Sequence, residues 1–197
     1  MHERIVQMCQ DSIAMLSELA EYHSDDIARA AQMMVNALVN ENRLICCGNG
    51  ASGANVQSFV SKLLNRFEHE RPALPAIALA PDSITLSALA QDNRLTESFS
   101  RPLLAIAQPH DVVVVLSASA NAENIKSVIR AAHERNCNVI ALTGASGGEV
   151  ARLLNENDIL LTIPENRAYR VHEAQLFILH CCCALIDSSL FGELDYA

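Results

Sequence analysis

Short apolar runs alternate with helix-like segments along most of the chain, and this alternation constrains the fold more than any other feature. The clearest run is VVVVL at Val112–Leu116, which is apolar at every position. Such a run is typical of a strand buried on both faces, as in a parallel sheet with helices on either side. The sequence therefore predicts a doubly wound α/β domain, in which ligands bind at the carboxyl ends of the strands. The predicted strands are Leu44–Cys47, Ala76–Leu79, Val112–Leu116, Asn138–Leu142 and Ile159–Ile163.

Helical periodicity fills most of the remaining chain. We expect residues 1–33 to form a helical segment appended to one domain at 34–197. The last helix is apolar nearly all round from Leu176 to Ile186. A helix of that kind is buried on all sides, either as the central core helix of a monomer or, as we favour, against a second copy of the chain. The predicted helices cover 4–20, 26–40, 52–66, 83–91, 95–107, 121–135 and 147–154, and the last runs from about Arg167 to Leu190.

Composition limits the classes of partner. The 197 residues carry a net charge of −9, and aromatic residues make up 4% of the chain with no tryptophan. Direct binding to nucleic acid needs a basic stripe, or aromatic platforms for single strands, and the sequence has neither. The N-terminus lacks the apolar core of a signal peptide, and the longest apolar run, Ala174–Ile186, is too short to span a bilayer. We therefore expect a soluble cytoplasmic protein that binds neither nucleic acid nor membrane.

Seven cysteines raise the question of a metal or redox site. No two of them form a C-x-x-C pair, and adjacent cysteines on a strand or helix point in different directions. We interpret them as small buried hydrophobic residues in a reducing compartment. They are Cys9, Cys46, Cys47, Cys137, Cys181, Cys182 and Cys183.

Two loops have the composition of a phosphate-binding cradle. Gly48–Gly53 reads GNGASG between a strand and a helix, but the acidic residue that a dinucleotide site places about 20 residues further on is missing. Ser117–Asn124 reads SASANAEN and repeats the order of strand, small polar residues and helix. Hydroxyl groups and free backbone N–H groups at helix N-termini suit a phosphate, so the two loops together favour a sugar phosphate. The alternative for each loop is ordinary helix capping by Ser or Asn.

Four segments, GNGASGAN, RPALPAIAL, DVVVVLSASANAENI and VIALTGASGGEVA, resemble the sugar isomerase (SIS) domain across nearly the whole chain. Two further segments, NRFEHERPALPAIAL and CALIDSSLF, are particularly similar to the DnaA initiator-associating proteins of that family. The sedoheptulose 7-phosphate (phosphoheptose) isomerases are related. The resemblance implies a five-stranded parallel sheet and a homotetramer.

The resemblance also identifies the positions at which the isomerases keep their metal and catalytic residues. In those enzymes the helix after the first loop carries a His and, four residues later, a Glu, while the last helix carries a Gln and, eight residues later, a His. This chain has Ser58, Lys62, His172 and His180 at those positions. Because the carboxylate is replaced by a residue of opposite charge, we expect no catalytic residue, no metal and no cofactor. The alternative is a metal held by the two histidines, which lie roughly 12 Å apart on a helix and would need further ligands.

The phosphate loop of the family is altered as well. Its S-T-S-G-N-S reads SASANA at 117–122, so two hydroxyl donors are lost and a glycine has become Ala120. We therefore expect a weak phosphosugar-like pocket. Its remaining residues are Asn49, Gly50, Ser52, Asp92, Ser117 and Ser119.

These substitutions favour a non-catalytic SIS-domain protein. We expect a homotetramer that binds the replication initiator DnaA and promotes timely initiation of chromosomal replication, with Leu190 and Phe191 as the contact. These two large apolar residues follow an apparent helix break at Asp187–Ser189 and precede a polar tail. The alternatives are a sedoheptulose 7-phosphate isomerase with a rebuilt site, or a sensor that binds a phosphosugar weakly.

Overall fold

The computed structural model describes residues 1–144 and 146–192. The strands are β1 (Leu44–Gly48), β2 (Ala76–Ala78), β3 (Val112–Ser117), β4 (Asn138–Thr143) and β5 (Ile159–Thr162). The helices are α1 (His2–Tyr22), α2 (Ser24–Val39), α3 (Ala51–Leu64), α4 (Ser83–Gln91), α5 (Ser100–Ile106), α6 (Glu123–Glu134), α7 (Gly148–Ala151) and α8 (Ala168–Phe191). A short 3₁₀ turn at Leu95–Glu97 and α5 divide the segment predicted as one helix at 95–107.

The five strands form one parallel sheet in the order β2-β1-β3-β4-β5, which confirms the predicted fold. β3 is central, and Val112 lies opposite Leu44 of β1 on one side and Asn138 of β4 on the other. β2 lies on one side of β1, and β3, β4 and β5 follow on the other side, so the strand order reverses between β1 and β3. In a doubly wound sheet this is where a crevice opens at the carboxyl ends of the strands.

The residues of β3 alternate between two hydrophobic cores. Val112 and Val114 pack with α2, α3 and α8 on one face of the sheet. Val113 and Val115 pack with α5 and α6 on the other face. All four are at most 1% exposed, so the continuous apolar run of the sequence corresponds to burial on both faces.

The first two helices differ in how deeply they are buried. α2 buries Ile27, Ala30 and Met34 in the core, and the predicted boundary between residues 33 and 34 falls inside this helix. α1 buries only Met15 and Leu19 and leaves most of its length exposed.

Helix α8 departs from the sequence-based expectation at one point. It continues without a break through Asp187–Ser189 to Phe191, because Asp187 is buried and paired with Arg71 instead of ending the helix. Within one chain Phe177 and Leu185 are 39% and 40% exposed, so the expectation that a second copy covers this side stays a prediction. α8 has the length and composition of a membrane-spanning helix, but its buried side packs in the core.

Candidate functional site

The first loop lies at the crevice between β1 and β3. Gly50 is the N-cap of α3 and has a φ of +54°, and no side chain caps this helix. A Cβ at Gly53 would lie 2.7 Å from the carbonyl oxygen of Gly48, so only glycine fits that first turn. The backbone N–H groups of the turn are consequently positioned at a helix N-terminus, where they can bind an anion.

A pair of amides joins the first loop to α6. Asn49 Nδ2 donates to Asn124 Oδ1 at 2.9 Å, and Asn124 Nδ2 donates to Asn49 Oδ1 at 2.8 Å. Asn124 Nδ2 also lies 3.2 Å from Ser98 Oγ. The sequence did not predict the pairing of Asn49 with Asn124. Its only indication was that Asn124 lies at the end of the second loop.

A cavity of about 490 Å³ opens beside this amide pair. Its polar floor comprises the first loop, Gln57, Ser98 and Asn124, and Leu86 and Leu95 belong to its apolar wall. A larger cleft of about 810 Å³ opens at the amino ends of β3, β4 and β5. We assign the ligand site to the smaller cavity because parallel sheets bind ligands at the carboxyl ends of their strands.

The second loop keeps a backbone conformation that favours glycine. Ala120 has a φ of +54°, which costs about 1–2 kcal/mol for a residue with a Cβ. Ser117 Oγ accepts a hydrogen bond from Ala120 N at 3.1 Å, and Ser119 is exposed. The loop shape is therefore retained although the side-chain donors at 118 and 122 are lost.

Two other predicted pocket residues lie elsewhere. Ser52 is buried in the contact between α3 and α8, where its Oγ donates to Gln175 Oε1 at 2.9 Å. Gln175 Nε2 in turn donates to the Leu142 carbonyl at 3.3 Å. Asp92 is exposed at the C-terminal end of α4. The structure thus places Asn49 and Gly50 at the lining of the cavity, whereas Ser52, Asp92, Ser117 and Ser119 do not line it.

The positions aligned with the family's catalytic residues form a second polar group between α3 and α8. Lys62 Nζ donates to Ser58 Oγ at 3.1 Å, and Lys62 is half-buried. His180 Nε2 is buried and has no hydrogen-bond partner in the described part of the chain. Burial and, secondarily, the positive charge of Lys62 lower the pKa of His180, so its imidazole is neutral at pH 7. The ring of Phe67 lies 5.6 Å from the His180 ring.

This second group is separate from the cavity within one chain. Lys62 follows Gly50 by twelve positions, which corresponds to roughly 18 Å along the axis of α3. His172 lies nearer the first loop, and its backbone carbonyl accepts from Asn55 Nδ2 at 2.8 Å. The chain therefore brings Ser58, Lys62 and His180 together, but not next to the phosphate-type loops.

The donor set does not fit the metal that the family resemblance implies. Within residues 1–144 and 146–192, no three or more His, Cys, Asp or Glu side chains cluster as a metal site. His172 and His180 are separated by about two turns of α8, and the positive charge of Lys62 lies close enough to His180 to lower its pKa. A lysine ammonium repels a divalent cation, so these residues are unsuited to holding one.

The cysteines form no reactive site. All seven are free thiols, and only Cys9 is exposed. Burial raises the pKa of Cys137 to about 11 and that of Cys183 to about 12. The buried cysteines are therefore protonated at neutral pH and pack as small apolar residues, as predicted, whereas exposed Cys9 departs from that prediction.

The two residues predicted to contact a partner have different surroundings. Leu190 is half-buried against the hydrophobic core. Phe191 is 38% exposed, and its ring centroid lies 5.9 Å from the guanidinium carbon of Arg71. Arg71 also pairs with Asp187 at 2.8 Å, so Phe191 covers a buried ion pair at the end of α8.

Comparison with known proteins finds a matching family model and several similar enzymes. Residues 7–144 match the SIS domain model. The chain is 45% identical over 184 residues to the phosphoheptose isomerase of Pseudoalteromonas atlantica, which covers 93% of this chain and 91% of the relative. It is 42% identical to that of a Shewanella strain, over 98% of each chain. The structure of a phosphoheptose isomerase from Francisella tularensis is similar with a TM-score of 0.90 and 39% identity, over 94% of this chain and 97% of that one.

These relatives correct the prediction of a non-catalytic DnaA-binding protein. Chains that are 42–45% identical over most of this sequence are named for an enzyme, and the similar solved structures from Francisella tularensis and Neisseria gonorrhoeae are phosphoheptose isomerases. The prediction treated the replacement of a His and a Glu by Ser58 and Lys62 as a loss of chemistry. That inference was too strong, because an ammonium and a neutral imidazole can still act as an acid and a base.

Proposed function

Because the chain belongs to the SIS-domain family, we propose that it is a phosphosugar isomerase that acts on sedoheptulose 7-phosphate. One observation carries the proposal: two loops of the phosphate-binding type are joined by the Asn49–Asn124 amide pair beside a cavity at the switch point of the sheet. Its relatives are named phosphoheptose isomerases, which supports a heptose phosphate as the substrate.

The reaction requires a base that moves a proton between adjacent carbons and an electrophile that polarises the carbonyl. Neutral His180 has the chemistry of such a base, and its Nε2 is without a partner among the described residues. The loops would hold the phosphate, with Gly50 and the start of α3 supplying backbone N–H groups.

The phosphate loops and His180 would have to come from different copies of the chain to meet one substrate. We propose the homotetramer for this reason, because they are far apart in one chain and apolar residues remain exposed on α8, including Phe177 and Leu185. A location in the cytoplasm fits the seven free cysteines.

The experiment incubates the purified protein with sedoheptulose 7-phosphate and follows the aldose phosphate by NMR. Asn49→Ala serves as the site variant and Arg66→Met as the matched surface control, because Arg66 pairs only with the exposed Glu70 in the described structure. We expect turnover in wild type and in Arg66→Met, and a loss of substrate affinity in Asn49→Ala. Absence of turnover with and without added zinc would refute the proposal.

A sensor is the second candidate function, and the lost donors at Ala118 and Ala122 favour it. Each missing hydrogen bond to a charged phosphate weakens binding by about 1.5–3 kcal/mol. A thermal shift with sugar phosphates but without turnover would support the sensor over the isomerase.

A further inference from the structure

We infer that Lys62 is the electrophile of the reaction, so that its ammonium takes the role of a bound metal. The inference rests on the proposed isomerase function and concerns the same site. It would make this chain a metal-independent member of its family.

The ammonium of Lys62 is available for a substrate. Its recorded partner is the Ser58 hydroxyl at 3.1 Å, and no Asp or Glu of the described ranges forms an ion pair with it. The other lysine of the chain, Lys126, is by contrast paired with Glu123 at 2.7 Å. A half-buried cation without a counter-ion can form a charge-assisted hydrogen bond with an anionic oxygen of a substrate.

The backbone that carries Lys62 is held rigidly. Arg71 Nη2 donates to the Lys62 carbonyl at 2.8 Å, and Arg71 Nη1 donates to the Leu63 carbonyl at 2.8 Å. The Arg71–Asp187 ion pair then joins this last turn of α3 to α8, the helix that carries His180. The two functional groups are thus fixed relative to each other, as preorganised electrostatic catalysis requires.

His180 supplies the complementary group. Its Nε2 is buried and carries no hydrogen bond from the described chain, and the Phe67 ring packs against the imidazole. An ammonium beside a neutral imidazole is a matched pair of electrophile and base, whereas the same ammonium opposes a divalent metal.

The step balances without any further reactant. The imidazole of half-buried His180 takes the proton from C1 of the ketose, and the electron pair forms the C1–C2 double bond while the charge moves to O2. Lys62 Nζ gives a proton to O2 and regains one from the O1 hydroxyl. The imidazolium returns its proton to C2, so one hydrogen moves from C1 to C2 and another from O1 to O2.

The experiment measures turnover of sedoheptulose 7-phosphate by chelator-treated protein whose zinc content has been measured. Lys62→Met removes the ammonium, Lys62→Arg keeps a cation, and Lys126→Met is the control at the other lysine. We expect wild-type turnover to survive chelation and Lys62→Met to lower kcat by roughly 10²–10³-fold, as for loss of one electrostatic donor. KM should change only a few-fold, Lys62→Arg should recover part of kcat, and Lys126→Met should match wild type.

The outcomes separate this inference from the proposed function. If chelation abolishes turnover and zinc restores it, the chain is a metal-dependent isomerase and the role of Lys62 is overturned. If Lys62→Met turns over as fast as wild type with its fold retained, Lys62 is not the electrophile although the isomerase stands. If wild type shows no turnover under either condition, the proposed function fails and this inference fails with it.

Discussion

Replacing Arg71 with methionine should destabilise the protein by about 4–7 kcal/mol. The guanidinium of Arg71 and the carboxylate of Asp187 are each only 3% exposed and lie 2.8 Å apart. Removing one partner of such a pair leaves a buried charge and costs roughly 3–5 kcal/mol. Arg71 also donates to the carbonyls of Lys62 and Leu63 at the end of α3, and these hydrogen bonds add about 1–2 kcal/mol after overlap with the ion pair.

Urea unfolding at one fixed protein concentration measures this loss directly. For a chain of this length, each kcal/mol also lowers Tm by about 2–4 °C, so the melting temperature should fall by roughly 8–28 °C. Arg66→Met is the matched control, because its ion pair with Glu70 is exposed and contributes at most about 1 kcal/mol.

A double-mutant cycle with Asp187→Leu tests the reasoning further. The double variant should be more stable than Arg71→Met, because Asp187 is then no longer an unpaired buried charge. If Arg71→Met unfolds within 1 kcal/mol of wild type, the ion pair does not hold α3 against α8, and the argument that it positions Lys62 fails as well.

Three further predictions concern the site. Ala122 is the N-cap of α6 without a side-chain hydrogen bond, so Ala122→Ser should raise the free energy of unfolding by about 1 kcal/mol, and an unchanged or lower Tm would contradict this. Lys62→Met should raise the pKa of His180, because the neighbouring positive charge that lowers it is removed. In an NMR titration the imidazole resonances of His180 should then shift at higher pH than in wild type. An unchanged titration would show that Lys62 does not act on His180. Asn124→Leu removes the hydrogen bonds that hold the Asn49 side chain and should weaken sugar-phosphate binding, measured by calorimetry, by roughly tenfold. Wild-type affinity in this variant would contradict the prediction.

The fold was predictable because its signals are local. The run at Val112–Leu116 is apolar at every position, and its burial on both faces follows from that pattern alone. The Ser58–Lys62 contact was also predictable, since residues four apart in a helix lie on the same face.

Long-range pairing accounts for what sequence reasoning missed. Asp187 was interpreted as a helix break because its partner, Arg71, lies 116 residues away in the chain. Ser52 was assigned to the pocket, but Gln175, 123 residues away, draws its hydroxyl into the contact between α3 and α8. No local pattern indicates which distant polar group a buried side chain will meet.

The prediction about catalysis failed for a different reason. It compared Ser58 and Lys62 with the residues that the family carries at those positions. It did not ask what an unpaired ammonium next to a neutral imidazole can do. The arrangement of Lys62 and His180 is visible only when α3 and α8 are packed together.

The most direct test of the isomerase account is the transfer of solvent deuterium to the sugar. The protein is incubated with sedoheptulose 7-phosphate in D₂O, and the product is analysed by NMR. The account predicts an aldoheptose 7-phosphate that carries deuterium at C2, because the base exchanges its proton with solvent during the reaction. Unchanged ketose without deuterium at C1, with or without zinc, would contradict the account.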